Sequence, residues 1–442
     1  MNKFPLSALL LAMSSGVAQL ANADAFVTDQ ADAKGLIEGS EFNLLLRNYY
    51  FNRDGKNNVE DRRDWTQGFL ANYNSGFSQG TVGVAVEAFG YLGLKLDGGD
   101  GTTGTGNLPV DNNGELMDDY SNTGGVLKMR VSKTMLKWGE MQPQAPVFAL
   151  TGSRLLPQTA TGFNLLSSEI DGLDLEAGHF TSGTGPTTRN SNGELFATYA
   201  DVTTRSVDFV GGNYAINDDF SVSLYGSEFE DIWRQFYANA NYELTLADNQ
   251  SLNFDANVYH TDDYGQARAG KIDNSAWSLA AAYSFLDAHT LTLALQKVEG
   301  DTPLDYIGVG DNLSGEGGDS IYLANSVQFS DFNAPGEKSW QLRYDVAMDS
   351  YGVPGLSFMA RYVNGSGIDG THVDATSAYA GLYGDDGKHH ETNLEARYVV
   401  QSGAAKDLSL RIRQAWHSAN ADQGEDDASE FRLIVDYPLT IL

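Results

Sequence analysis

Residues 407–417 read DLSLRIRQAWH. Taken two at a time, Leu408, Leu410, Ile412 and Trp416 share one face. Ser409, Arg411, Arg413, Ala415 and His417 share the other. Such alternation is that of a β-strand with one apolar side. The unusual feature is a pair of arginines on the polar side. In a soluble sandwich that side meets bulk water and the arginines are ordinary surface. In a membrane barrel it meets a lumen, and the pair forms two rungs of a positive lining.

The rest of the chain favours the barrel. Alternating stretches fall at 41–51, 64–74, 81–91, 125–132, 134–141, 162–170, 173–181, 205–216, 220–229, 234–246, 251–261, 274–286, 290–298, 339–348, 355–364, 391–400, 406–418 and 429–439, eighteen in all. Trp340, Leu342 and Tyr344 alternate with Gln341, Arg343 and Asp345; Leu127, Met129 and Val131 alternate with Lys128, Arg130 and Ser132. Short turns such as Asp171-Gly172 alternate with longer connections rich in Gly, Asp and Asn, and both termini fall on the short-turn side. Short turns at one end, long loops at the other and an even strand count are the pattern of outer-membrane barrels. The non-apolar faces are too polar for a dry core, because burying an unpaired amide or charge costs several kcal/mol. The expectation is an all-β fold: one transmembrane antiparallel barrel of about 18 strands, wide enough to enclose water.

Composition sets the bounds. Lys3, the apolar run from Leu6 to Met13 and Ala21-Asn22-Ala23 read as an export signal over residues 1–23, leaving 24–442 as a single barrel domain. No stretch approaches the ~18 apolar residues a spanning helix needs. The formal net charge of −31 argues against a nucleic-acid partner. Cysteine is absent, which removes disulfides, thiol nucleophiles and thiolate metal sites. Nothing in the sequence calls for a cofactor.

The basic residues are unevenly placed. Periodicity points Arg47, Lys128, Arg130, Arg343, Arg361, Arg397, Arg411, Arg413 and Arg432 inward, mostly on the last strands and the first. Closure of the barrel brings those strands together as one positive wall. The eighth to eleventh strands offer Asp208, Glu243 and Asp255 inward instead. A positive column opposite a negative one gives a transverse field and a path for anionic groups. The plainer account is local neutralisation, of Arg343 by Asp345 or of Arg397 by Glu395.

Several stretches resemble the OprD-type substrate-specific outer-membrane porins, also called outer-membrane carboxylate channels. They are DAFVTDQADAKG at 24–35, LLLRNYYFNRDGK at 44–56, TGGVLKMRVSKTMLKWGEMQP at 123–143, SRLLPQT at 153–159, SIYLANSVQFSDFNAPGEKSWQLRYD at 320–345, EARYVVQSG at 395–403, RIRQAWH at 411–417 and EFRLIVDYPL at 430–439. The resemblance implies a monomeric channel narrowed by inward-folded external loops, near 142–160 and 300–338. It places the basic ladder on Arg53, Arg62, Arg154, Arg397, Arg411, Arg413 and Arg432, with Arg130 and Arg189 as lesser members. It places the constriction on Tyr199, Tyr306, Asp319 and Asp331. The implied partners are small carboxylate solutes, basic amino acids or peptides or aromatic acids, within outer-membrane lipid and lipopolysaccharide of a Gram-negative cell.

Other readings stand beside this one. H-E-x-x-H does not occur, which leaves an outer-membrane hydrolase without a recognisable metal motif. A structural or adhesive barrel predicts a plugged lumen. His389-His390 offers a metal pair or a plain exposed loop. The acidic run at 97–101 offers calcium ligands or a solvated loop, without EF-hand spacing.

Overall fold

The computed structural model describes residues 26–57, 59–150, 152–188, 192–311 and 317–442. The export signal over 1–23 and Arg189 lie outside the described residues. Eighteen antiparallel strands form one sheet. They are β1 (Glu41–Gly55), β2 (Arg62–Asn74), β3 (Gly83–Asp97), β4 (Asp119–Val131), β5 (Thr134–Met141), β6 (Thr159–Ile170), β7 (Leu173–Thr184), β8 (Val207–Asn217) and β9 (Phe220–Phe229). The second half comprises β10 (Trp233–Ala247), β11 (Gln250–Asp263), β12 (Asp273–Phe285), β13 (His289–Glu299), β14 (Lys338–Ala347), β15 (Leu356–Ile368), β16 (Gly387–Val399), β17 (Ser409–Ala419) and β18 (Ala428–Thr440). The last strand pairs with the first, from Asn43 opposite Thr440 to Gly55 opposite Ala428, and this closes the sheet. Closure leaves no unpaired backbone edge, which the hydrocarbon of a bilayer would not tolerate.

The eighteen alternating stretches of the sequence each fall on one strand. Several strands run longer than their apolar pattern, β1 to Gly55 and β3 to Asp97. Those extensions lie at the long-loop end. Period two decides which side chains meet lipid. On β17, Leu410, Ile412 and Trp416 are exposed, while Arg413, Ala415 and His417 are buried. Leu293, Val210 and Leu224 show 58%, 65% and 64% of their surface outward, as residues facing acyl chains do.

The lumen is not an open tube. Three long loops fold into it, spanning 142–158, 185–206 and 300–337. Residues Glu194–Ala197 of the second loop pair with Ile307–Gly310 of the third, and Ala149 of the first accepts from the Asp319 N–H at 2.9 Å. Their apolar side chains pack with Phe180, Phe209, Phe229, Trp233, Tyr237 and Tyr259 from the inner faces of β7 to β11. Phe148 stands 5.1 Å from Phe180 and 6.4 Å from Phe209 between ring centres. Burying such rings contributes ~1.5–3 kcal/mol each, which offsets the entropy of ordering the loops.

This arrangement corrects the expected acidic wall. Asp208 does not face inward. Val207 and Phe209 take the inner positions beneath the loops, so Asp208 turns outward at the long-loop rim, 2.7 Å from His179. Asp255 is inward but held by the side-chain amides of Asn239, Asn241 and Asn257. Those amides spread its charge within the wall.

The segment before β1 closes part of the short-turn mouth. Gln30 donates its N–H to Ser132 O at 2.8 Å and its amide to Ser78 O at 2.8 Å.

Candidate functional site

Strand register sorts the basic side chains into rows. Arg62 lies opposite Arg53, which lies opposite Glu430; further along the same line Asn393 faces Arg361 and Arg361 faces Arg343. Two residues toward the short-turn end, Phe51 faces Arg432, Arg432 faces Arg413, and Arg413 faces Glu395. Two residues further, Arg411 faces Arg397. A last step brings Arg47 opposite Asp436. Each step is ~6.6–6.8 Å along a strand. The rows descend the wall formed by β14 to β18 and β1 to β2, away from the apolar loop cluster.

Carboxylates hold these rows without matching them one for one. Glu430 accepts from Arg53 Nε at 2.7 Å and from Arg432 Nε at 2.6 Å. Glu395 takes both Arg411 nitrogens at 2.8 Å and lies 3.3 Å from Arg413 Nε. Arg343 is paired with Asp345 at 2.7 Å, as local neutralisation anticipates, but Arg397 donates to Ser409 at 3.2 Å rather than to Glu395. Two carboxylates thus serve four arginines, and the wall keeps an excess of positive charge.

Phe51 is the centre of the second of these levels. Three guanidinium carbons surround its ring: Arg432 at 5.4 Å, Arg53 at 5.6 Å and Arg154 at 5.7 Å. Arg154 arrives on the 142–158 loop, whose backbone is tied to the wall by Arg47 Nη1 donating to Gly152 O at 3.0 Å and to Arg154 O at 2.9 Å. Burial, with Arg432 beside it, lowers the Arg154 pKa to about 10, so the group stays charged at neutral pH. Like charges around an aromatic face are tolerable because the ring quadrupole attracts each one.

The 300–337 loop carries the opposite sign to the same level. Arg432 donates to Gln328 O at 3.2 Å, and Gln328 donates to Glu430 at 3.1 Å. Phe329 lies 4.6 Å from the Arg53 guanidinium. The N–H groups of Phe329 and Ser330 both donate to buried Glu391 at 3.0 Å. Asp331 follows, at most ~7 Å from Phe329 between Cα atoms. It accepts from the hydroxyls of Tyr199 and Tyr306, both at 2.8 Å, and from Ser326 at 2.7 Å. Burial and the Asp331 charge raise both phenol pKa values well above the usual range, so the two tyrosines act as neutral donors. Their rings meet edge to face at 5.8 Å. Asp319 stands nearby, its carboxyl raised to about 6 by burial and by Asp331.

Sequence-derived residues therefore divide. Arg53, Arg154 and Arg432 meet around Phe51, with Arg413 opposite Arg432; Arg62 lies beside Arg53; Arg397 and Arg411 form the next row toward the short-turn end. Tyr199, Tyr306, Asp319 and Asp331 belong to one cluster. Arg130 is elsewhere. Its guanidinium stacks 3.8 Å over Phe77 and donates to Gln30 at 3.0 Å and Thr28 at 2.5 Å, which clamps the N-terminal segment at the short-turn mouth. The acidic run at 97–101 is turn structure, with Asp97 accepting from the Gly99 N–H at 2.7 Å and Asp100 facing Arg63 at 3.8 Å.

Sequence reading missed Phe51, Glu430, Glu391 and Asp305. Asp305 accepts from the N–H groups of Tyr199, Ala200 and Tyr306 and from the Tyr379 hydroxyl at 2.7–3.0 Å, and so fixes the tyrosine pair. An acid just before an aromatic residue in a long loop was the available signal, and it is a weak one.

The chain also has relatives among known proteins. It is 69% identical to Porin D of Pseudomonas aeruginosa over 99% of both chains. A crystal structure of Pseudomonas aeruginosa OprD superposes with a TM-score of 0.83 at 64% identity, covering 95% of this chain and all of that one. Pseudomonas aeruginosa OpdK, solved with vanillate, superposes with a TM-score of 0.81 at 34% identity, covering 92% of this chain and all of that one. These porins are channels of the Gram-negative outer membrane, not enzymes. The family model described as outer membrane porin, OprD family, matches residues 34–441, and the chain belongs to that family as a substrate-specific outer-membrane channel.

Proposed function

We propose that this channel admits small carboxylate-bearing solutes by passive diffusion along the arginine rows. The carrying observation is the level of Phe51, where three guanidiniums ring one aromatic face and Asp331 with its two tyrosines stands a few residues away. A solute carboxylate exchanges water for guanidinium hydrogen bonds, which are bidentate and charge-assisted. It passes from Arg53 and Arg62 to Arg432, Arg413 and Arg154, then to Arg411 and Arg397. An amino group or ring on the same solute meets Asp331, Asp319, Tyr199 and Tyr306. Several equivalent sites keep each one weak enough for release. The site suits amino acids with a second cationic end, and it also suits aromatic acids; vanillate, an aromatic carboxylate, occupies a relative.

In this reading residues 1–23 direct export and are removed, one chain makes one channel, and lipid and lipopolysaccharide meet only the outer face. Liposome swelling with a panel of carboxylates and uncharged solutes of equal size tests it. Arg154→Ala should slow carboxylates selectively. Equal rates for carboxylates and sugars in the unmodified protein overturn the proposal, and absence of discrete conductance in a planar bilayer favours a structural barrel instead.

A further inference from the structure

His389 and His390 are not an exposed loop pair. Both lie on β16, where period two turns His390 to the outer face and buries His389 inside the barrel. His417 on β17 is buried beside it. His389 Nδ1 lies 3.0 Å from His417 Nε2, and Glu425, from the connection after β17, brings Oε2 to 3.7 Å from the first and 3.4 Å from the second. The other ring nitrogens face acceptors. His389 Nε2 is 2.7 Å from Glu337 Oε1, and His417 Nδ1 is 3.0 Å from the carbonyl of Asp426.

We propose that His389 Nδ1, His417 Nε2 and Glu425 Oε2 form a binding site for one divalent transition cation, of the zinc or copper class. When each imidazole donates its outer N–H, to Glu337 and to the Asp426 carbonyl, the two inner nitrogens present lone pairs to each other. Two lone pairs and a carboxylate oxygen then converge on one point with no hydrogen to share. The three donor separations average near the ~3.3 Å edge of a tetrahedron whose metal bonds are ~2.0–2.1 Å. Imidazole ligands whose second nitrogen donates to a carboxylate or a backbone carbonyl are the usual outer shell of such sites. Glu425 is held in place by Gln423 Nε2 at 2.9 Å, and it is 29% exposed, which gives the cation a route in from the lumen mouth. Gly365 leaves room for the Glu337 carboxylate, since a Cβ there would lie 2.0 Å from Oε1.

The site sits under the constriction loop. Phe332 stacks on the His389 ring at 4.0 Å between centres, and Phe329 stacks on His417 at 4.6 Å. Asp331 lies between those two phenylalanines in sequence. A cation joining β16, β17 and the 420–427 connection braces the two rings on which this segment rests.

Purified full-length protein in detergent, stripped with chelator and dialysed, is the material for the test. Equilibrium dialysis should find one Zn²⁺ per chain, and Cu²⁺ at one equivalent should give an electron-spin-resonance spectrum with two imidazole nitrogens. Zn²⁺ at 100 times its Kd should raise the unfolding midpoint by several degrees. His417→Gln should abolish the site, and Glu425→Gln, at a partly exposed connection position, should weaken it at least tenfold with the barrel intact. His260→Gln removes the exposed group of His260, Asp262 and Asp273 and should change nothing. No stoichiometric Zn²⁺, a spectrum without two nitrogens, or binding that survives Glu425→Gln or disappears in His260→Gln overturns the proposal. In that event the buried pair is a proton-bridged link from Glu337 to Asp426. None of these readouts depends on which solute the channel carries.

Discussion

Replacing Arg413 by Gln removes one positive charge from the row it shares with Arg432. A solute carboxylate ~4 Å from that guanidinium interacts by roughly 1 kcal/mol in bulk water and roughly 4 kcal/mol at an effective dielectric of 20. The narrow lumen lies between these limits, and a hydrogen bond to a charged group is worth about 1.5–3 kcal/mol. Taking about 2 kcal/mol, carboxylate binding at this level weakens about 30-fold. The fold loses less. Glu395 keeps both Arg411 nitrogens at 2.8 Å, whereas Arg413 approaches it only through Nε at 3.3 Å. No buried carboxylate is stranded, so the large penalty of breaking a buried pair does not arise. Glutamine also keeps most of the volume, so the bore is not widened. The assay is initial swelling rate in liposomes below saturation, with arginine and benzoate as carboxylates and arabinose as control. Carboxylate rates should fall tenfold or more while arabinose stays within twofold. Unchanged carboxylate rates in a folded, heat-stable barrel would refute the ladder. An equal fall for arabinose would show that Arg413 shapes the bore rather than selecting the solute.

The Asp319 carboxyl, raised to about 6 by burial and Asp331, is charged above that pH and neutral below it. Cation selectivity, read from reversal potentials in a salt gradient, should therefore fall as pH drops from 7.5 to 5, and Asp319→Asn should hold the low-pH level throughout. Arg47→Ala removes the ion pair to Asp436 at 2.9 Å and two of the hydrogen bonds that tie the 142–158 loop to β1, leaving that of the Tyr49 hydroxyl to Ser153 O at 3.2 Å. Single-channel records should show larger and noisier conductance, and an unchanged trace would mean that the loop's remaining contacts hold it without Arg47. Leu293→Arg puts a charge on the outer face, where lipid-facing arginine costs ~2–4 kcal/mol near the midplane. Folding into lipid vesicles should weaken by that amount, and a neutral effect would place β13 outside the hydrocarbon.

The strands were legible because one physical rule governs every residue of them. Side chains alternate between hydrocarbon and water, so Ile412 and Arg413 declare their faces without any knowledge of neighbours. The rule weakens where those two solvents end. Asp208 lies at the rim, where the outer face meets water and the inner face meets packed loops, and polarity there no longer reports direction. The cluster of Tyr199, Tyr306 and Asp331 was legible only through resemblance. Tyr199 and Asp331 are 132 residues apart, and Arg53 and Glu430 are 377 apart. No local pattern encodes such contacts. Glu391 reads as one more inward acid on a strand, yet its work is to accept two loop N–H groups.

The two signs of charge in this lumen come from different kinds of structure. Most of the arginines stand on strands, whose spacing is fixed by the sheet's hydrogen bonds, so the basic rows keep their geometry whatever the loops do. The acids and tyrosines stand on the 185–206 and 300–337 loops, and a loop holds a position only as well as its anchors. That is why buried carboxylates with no direct part in recognition gather around it: Asp305 takes four donors, Glu391 takes two loop N–H groups, and Glu337 takes the Ala334 N–H at 3.0 Å while facing His389. Each costs desolvation, and each is stable only because hydrogen bonds already point at it. The arrangement separates two tasks. Under the proposed function, strand arginines would recruit the carboxylate that the solutes share, and the anchored loops would select among the other ends of those solutes. Substitutions in the loop anchors should then alter which carboxylates pass while leaving the preference for carboxylates intact, and substitutions in the strand arginines should do the reverse.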